Sequence, residues 1–238
     1  MKSPTSVKPS DPLEDAGRCR SWRQWLRAGL ASVLPRRMFL VRGPAGCRSV
    51  CLTFDDGPHP EYTPRLLDVL KECGVPATFF VIGQQAERHP EIVRRMADEG
   101  HAVGHHSYFH EEPHRVSARQ LSEEVRRTRE LLRGLLGTAP DLFRPPYGNL
   151  TAAKLWRLWG AGQSVVLWST DPMDYARRSA DEVGEWFERN PLSGGDLVLL
   201  HDAYPYAAAA LPGLVDSARA RGLTFETVPR WAGRSSAA

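Results

Sequence analysis

The stretch Val50-Cys51-Leu52-Thr53-Phe54-Asp55-Asp56-Gly57-Pro58 decides the fold. Five residues rich in β-branched, aromatic and apolar side chains read as a short strand, and Asp-Gly-Pro closes it with turn chemistry. Working outward, comparable β-rich runs recur at 77–82, 102–104, 142–144, 164–168, 196–200 and 223–228. Helical patterns fill the intervals near 63–73, 90–99, 117–134, 151–160, 181–189 and 207–221. Thr63-Pro64, Pro90-Glu91, and Ser117 followed by Gln120 at capping-box spacing are start signals for three of these helices. Seven strands separated by helices predict a parallel α/β sheet, open or closed into a barrel. In such folds reactive groups collect at the C-terminal ends of the strands, so the residue after each strand is where chemistry is expected.

Composition narrows the class before any motif is read. The chain has 238 residues, 42% hydrophobic and 25% charged, which fits one large globular domain or two small ones and excludes fibrous, disordered and membrane-spanning classes. Its formal charge of +3 is unevenly spread: residues 1–49 hold ten Lys or Arg against three Asp or Glu, so residues 50–238 are net negative. That distribution argues against a nucleic-acid partner. Cys19, Cys47, Cys51 and Cys73 form neither a CxxC pair nor a dense framework and are expected to be reduced. With no signal-peptide pattern and no apolar run near ~20 residues, the expected location is cytoplasmic.

The organisation expected along the chain is a disordered leader over 1–19, a basic arm over 20–48, a catalytic domain over 49–230 and a flexible tail over 231–238. Within the arm Trp22, Trp25, Leu26, Leu30, Val33 and Leu34 recur at helical spacing, with Arg20, Arg23 and Arg27 on the polar side and Pro35 ending the pattern. Two readings fit: a helix packed on the main domain, or an interfacial helix at residues 20–37 in peripheral contact with an anionic inner-membrane surface.

Polar residues at five successive strand ends carry the chemistry. Adjacent Asp55 and Asp56 repel unless a cation or proton relieves them, and only one is needed for a turn. Neighbouring side chains diverge at a strand end, so one carboxylate can bind a metal while the other faces a substrate. After the third strand His106 and His110 stand at i and i+4, on one face if that segment is a helical turn, and imidazole nitrogen with carboxylate oxygen suits zinc. Five of the eight histidines fall within residues 101–114. Arg144 follows the fourth strand, where it can pair with a carboxylate. Asp171 and Asp174 follow the fifth, where either can instead cap a helix. His201-Asp202 ends a buried run of four aliphatic residues.

Taken together, Thr53-Phe54-Asp55-Asp56-Gly57-Pro58, His106-Ser107-x-x-His110, Arg144-Pro145-Pro146-Tyr147-Gly148, Asp171-x-x-Asp174 and Leu199-Leu200-His201-Asp202 resemble, in order, the five motifs of the polysaccharide deacetylase family. That family includes nodulation-type chitooligosaccharide deacetylases and peptidoglycan N-acetylglucosamine deacetylases. The resemblance covers about residues 49–228 and implies a distorted (β/α) barrel with about seven parallel strands. It implies metal-dependent removal of N-acetyl groups from an N-acetylated glycan or glycolipid, with Zn²⁺ or another divalent ion such as Co²⁺ as cofactor. An O-acetyl esterase on the same scaffold and a non-catalytic carbohydrate-binding protein are the alternatives. By resemblance Asp56, His106 and His110 are the metal ligands, Asp55 the general base and Arg144 its partner. His201 is the general acid and Asp174 its orienting group. The Tyr147 backbone N–H meets the oxyanion, and Tyr147, Tyr175 and Leu199 contact substrate. The chain departs from the pattern at His105, where the family has Asn and where a second imidazole either competes for the ion or fills the same space. It departs again at Tyr175, where the family has Trp.

Overall fold

In a computed structural model of the chain, residues 29–30 and 32–233 are described. Their elements run β1 (Phe39–Leu40), β2 (Ser49–Asp55), α1 (Tyr62–Cys73), β3 (Thr78–Val81), α2 (Gly83–Arg88), α3 (Pro90–Asp98), β4 (Ala102–His105), α4 (Ala118–Leu136), β5 (Leu142–Phe143), α5 (Ala152–Gly160), β6 (Ser164–Val166), α6 (Ala180–Arg189), β7 (Leu197–His201), α7 (Pro205–Ala220), β8 (Thr224–Phe225) and α8 (Val228–Trp231). Every strand pairing is parallel, in the order β1-β6-β5-β4-β3-β2-β7, with β8 on the side of β2. The sheet curls until Thr170, just past β6, bridges Val198 of β7. The expected barrel is therefore present, closed by one isolated bridge.

Strand parity explains what lies inside. All seven residues of β2 are buried, as expected for a central parallel strand covered on both faces. Val50, Leu52 and Phe54 point outward into the layer formed with α1, α3, α6 and α7. Cys51 points inward with Leu40, Phe80, Leu142, Val166 and Leu197. A side-chain period of two places Thr53 and Asp55 on that same inner side. The β2–β7 register then sets Asp55 opposite His201, and the β3–β4 register sets Val81 opposite His105, so the polar strand ends meet at one rim.

Helix ends follow local chemistry. Ser117 and Gln120 form the expected capping box on α4. Gly74 ends α1 at φ 62°, a left-handed C-cap that glycine adopts without steric cost.

Two expected boundaries move. Phe39 and Leu40, inside the segment read as an arm, form an edge strand on β6, and Trp159 Nε1 donates to the Met38 carbonyl. The sheet therefore begins before residue 49. At the other end Trp231, assigned to the tail, is 5% exposed and packs with Val228 against the inner residues of β1, β2 and β7. Short elements escape periodicity because two to four residues span barely one repeat, too few to show a pattern. The leader 1–19 and most of the 20–37 helix lie outside the described residues; of the latter, Gly29, Leu30, Ser32 and Val33 are helical. Among the described residues no helix is long and apolar enough to cross a membrane.

Candidate active site

Asp55 ends β2 inside the barrel, 3% exposed. Its Oδ1 accepts from Arg144 Nη1 at 2.7 Å, and Arg144 is fully buried. The same guanidinium donates to Thr53 Oγ1 and to the Val166 and Leu167 carbonyls, and it lies 4.1 Å over the Phe80 ring. A buried cation with every edge engaged is a rigid post beside the carboxylate. Burial pushes the Asp55 carboxyl above the usual range, and Arg144 opposes that push without cancelling it.

Asp56 leaves the strand at φ 76°, a left-handed conformation, and one oxygen each of Asp55 and Asp56 lies 3.7 and 3.6 Å from His106 Nε2. Asp56 Oδ1 lies 3.2 Å from His110 Nε2 and 3.6 Å from His106 Nε2. The segment from His106 to His110 is not helical: Ser107 and His110 have φ of 62° and 58°. Two left-handed residues, rather than helical spacing, bring the imidazoles together. Strand parity also settles His105, which points outward to Gln163 Oε1 at 2.7 Å and to the Phe143 ring. Its pKa, pushed down to about 4 by burial, marks a neutral packed histidine outside the ligand cluster.

The cluster fits a divalent ion. One donor atom from each of Asp56, His106 and His110 lies within 4.8 Å of the others. Asp56 Oδ1 is buried yet accepts no hydrogen bond, which is costly unless something cationic answers it. His106 Nδ1 lies 2.7 Å from the Arg144 carbonyl. That acceptor places the proton on Nδ1 and leaves the Nε2 lone pair toward Asp56, the arrangement common behind metal-bound histidines. Burial pushes the His106 pKa down to about 3, so the ring is neutral and able to ligate.

His201 ends β7 across from Asp55. Its Nδ1 is 2.7 Å from Asp174 Oδ1, while its backbone N–H donates to Asp174 Oδ2 at 2.8 Å. Burial alone lowers this pKa, but the Asp174 hydrogen bond and charge, aided by Asp55 and Asp56, raise it to about 9. Asp174 is 0% exposed. Asp171 caps no helix: its Oδ1 accepts from the Met173 N–H in the turn that precedes Asp174.

Tyr147 sits at φ 56°, and its backbone N–H donates to no acceptor among the described residues. Its exposed ring lies 5.0 Å from that of His110. Tyr175 is half-exposed with its ring 5.1 Å from His201, and Leu199 lies one inward layer below His201, opposite Thr53. The structure therefore gathers Asp55, Asp56, His106, His110, Arg144, Tyr147, Asp174, Tyr175, Leu199 and His201 around one rim.

Two contacts had little sequence signal. Thr63 Oγ1 donates to Asp202 Oδ2 at 2.6 Å, and a Cβ on Gly57 would fall 2.0 Å from that oxygen, so only glycine admits the approach. Burial, with Asp56 adding repulsion, raises the Asp202 pKa to about 7. The sequence singled out Arg144 as a partner for a carboxylate, but its second bond from the same nitrogen, to Thr53 Oγ1, carried no signal.

Comparison with known proteins agrees with this geometry. Residues 42–166 match the family described as polysaccharide deacetylase. A peptidoglycan-N-acetylglucosamine deacetylase of Bacillus cereus is 37% identical over 198 residues, 80% of this chain and 70% of that protein. A chitooligosaccharide deacetylase of Bradyrhizobium sp. is 43% identical over 162 residues, 68% of this chain and 74% of that protein. The crystal structure of the Bc1960 peptidoglycan N-acetylglucosamine deacetylase superposes with a TM-score of 0.80 at 34% identity, covering 84% of this chain and 94% of that one.

Proposed function

Because the chain belongs to the polysaccharide deacetylase family, we propose that it hydrolyses N-acetyl groups from amino sugars in an oligosaccharide, polysaccharide or lipid-linked glycan. The observation that carries this reading is the opposition of two differently protonated groups across one rim: a buried Asp55 paired with Arg144 and a His201 charged by Asp174.

Asp56, His106 and His110 would hold the ion, with Zn²⁺ or Co²⁺ suited to this N₂O donor set. When bound there, it supplies Lewis-acid activation of water and of the acetyl carbonyl. Asp55 takes the proton from water as the oxygen adds to the carbonyl carbon. Its raised pKa makes it a stronger base than an ordinary carboxylate, and Arg144 keeps its second oxygen turned into the site. The free N–H of Tyr147 is available to the oxyanion. As the C–N bond breaks, His201 gives its proton to the departing nitrogen, leaving acetate and a free amine. Leu199 and Tyr175 supply the apolar surface for the acetyl methyl group beside His201. The basic segment 20–37 is part of the proposal as an address on anionic lipid at the cytoplasmic membrane surface; flotation with anionic vesicles, lost from a chain starting at residue 40, tests it.

The deciding experiment measures acetate release from N-acetylglucosamine oligomers and from acetylated xylan, before and after chelation and zinc repletion. Asp55→Asn should lower turnover about 10²–10⁴-fold while still binding zinc. Turnover that survives chelation, or Asp55→Asn at full activity, would sink the assignment. Preference for xylan would turn it into an O-acetyl esterase.

A further inference from the structure

The loop that bears both candidate metal-binding histidines is fastened from below by a helix that the chemistry leaves unused. Residues 106–117 join β4 to α4, and within them Ser107 and His110 hold left-handed backbone, a conformation that non-glycine residues keep only when their surroundings impose it. The surroundings are identifiable. Glu124, in the second turn of α4, receives two backbone N–H groups on one oxygen: Tyr108 at 3.1 Å and Phe109 at 3.2 Å. Hydrogen bonds to a carboxylate are roughly twice as strong as neutral ones. The Ser107 and Tyr108 carbonyls accept from Gly83 and Gln84 at the start of α2, and Ser107 Oγ accepts from the His110 N–H.

A second fastening lies farther along the loop. Lys154 of α5 is 5% exposed and donates its ammonium to the Pro113 carbonyl. Burial works against its charge and Glu124 works for it. Glu124 and Lys154 line one cavity of about 20 Å³ beneath the loop, with Ser107 and Pro113 in its wall. The carboxylate therefore has a counter-charge behind it and two amide donors in front.

We infer that Glu124 is a positioning residue for the metal site, holding the Tyr108–Phe109 peptides so that His110 stays within reach of Asp56. This rests on the reading of Asp56, His106 and His110 as the ligand set. Without Glu124 the two N–H groups turn to water, the turn that sets His110 relaxes, and the ion loses the preorganisation of one ligand. Glu124 touches no ligand side chain, so it acts entirely through backbone.

The test is zinc affinity of the full chain, measured by competition with a chromophoric chelator, alongside activity at limiting and saturating zinc. Glu124→Ala should weaken zinc about tenfold or more, the range for residues that orient ligands, with activity lost at limiting zinc and recovered at saturation. Should Glu124→Ala not fold, Glu124→Met, a good helix former without an acceptor oxygen, carries the same expectation. Glu124→Gln keeps one acceptor and should stay within about threefold of the parent. Parental affinity in the Ala and Met variants, or activity loss that saturating zinc does not restore, overturns the inference and leaves the ligand reading standing. A parent protein that does not bind zinc overturns both.

Discussion

Two histidines at the rim each face a carboxylate, yet they end in opposite protonation states. His201 Nδ1 is 2.7 Å from Asp174, and its pKa rises to about 9. His106 Nε2 is 3.6 Å from Asp56, and its pKa falls to about 3. Both rings are buried, so desolvation opposes the charged form in each. The difference lies in what the ring's Nδ1 meets. A carboxylate at hydrogen-bond distance stabilises imidazolium more than burial opposes it, whereas Asp56 and the Arg144 carbonyl favour the His106 imidazolium too weakly to offset burial and the nearby His110 and Arg144 charges. The same two residue types give one pair suited to donating a proton and one suited to ligating an ion.

The sharpest way to break this contrast is to remove the acid side. His201→Ala should lower turnover by about 10²–10⁴ and leave zinc affinity at the parental value, measured by acetate release and chelator competition. Comparable loss of zinc affinity would mean that the two pairs are not separate devices.

Arg144 joins the halves, since its side chain holds Asp55 and its carbonyl holds His106. Arg144→Leu should cost about 3–5 kcal/mol in urea unfolding by leaving a buried carboxylate unpaired. The His106 contact uses only backbone, so zinc binding by the folded fraction should persist. A change below about 1 kcal/mol would show that the pair behaves like a surface bridge.

The smallest effects concern pH. A His201 with pKa near 9 donates its proton up to that pH, so kcat/KM should fall as pH rises through about 9. Asp174→Asn should move that limb toward about 6.5. Stability follows the same sign: the folded pKa is raised, so the contribution is complete below about pH 6.5 and is lost as pH rises to 9. At about 1.4 kcal/mol per pKa unit the rise from 6.5 to about 9 amounts to about 3.5 kcal/mol at most. Equal pH dependence of unfolding in the parent and Asp174→Asn would remove Asp174 as the cause.

Much of this contrast was readable from particular residues. The strands ending at Asp55, His105, Phe143 and His201 were visible as β-rich runs, and the groups after them were unusual enough to single out. Short pieces were hidden: β1 and Trp231 have too few residues for periodicity, and only packing makes them part of the barrel. The meeting of His106 and His110 was right for the wrong local reason. Helical spacing was expected, while the chain uses left-handed backbone at Ser107 and His110, which residue type signals weakly. Glu124 looked like any charged residue on an amphipathic helix until its amide partners, fifteen and sixteen residues earlier, came into view.

By itself the sequence determined the alternation of strands and helices and the residue types at each strand end, because both follow from local pattern and side-chain chemistry. Tertiary structure decided which carboxylate serves which histidine. Protonation and ligation turn on separations of a few ångströms in a desolvated site, and those are set by register. Asp55 stands opposite His201 only because β2 pairs with β7. Strand alternation makes His105 and His106 face opposite ways, but only the packing of the sheet decides which of the two faces the site.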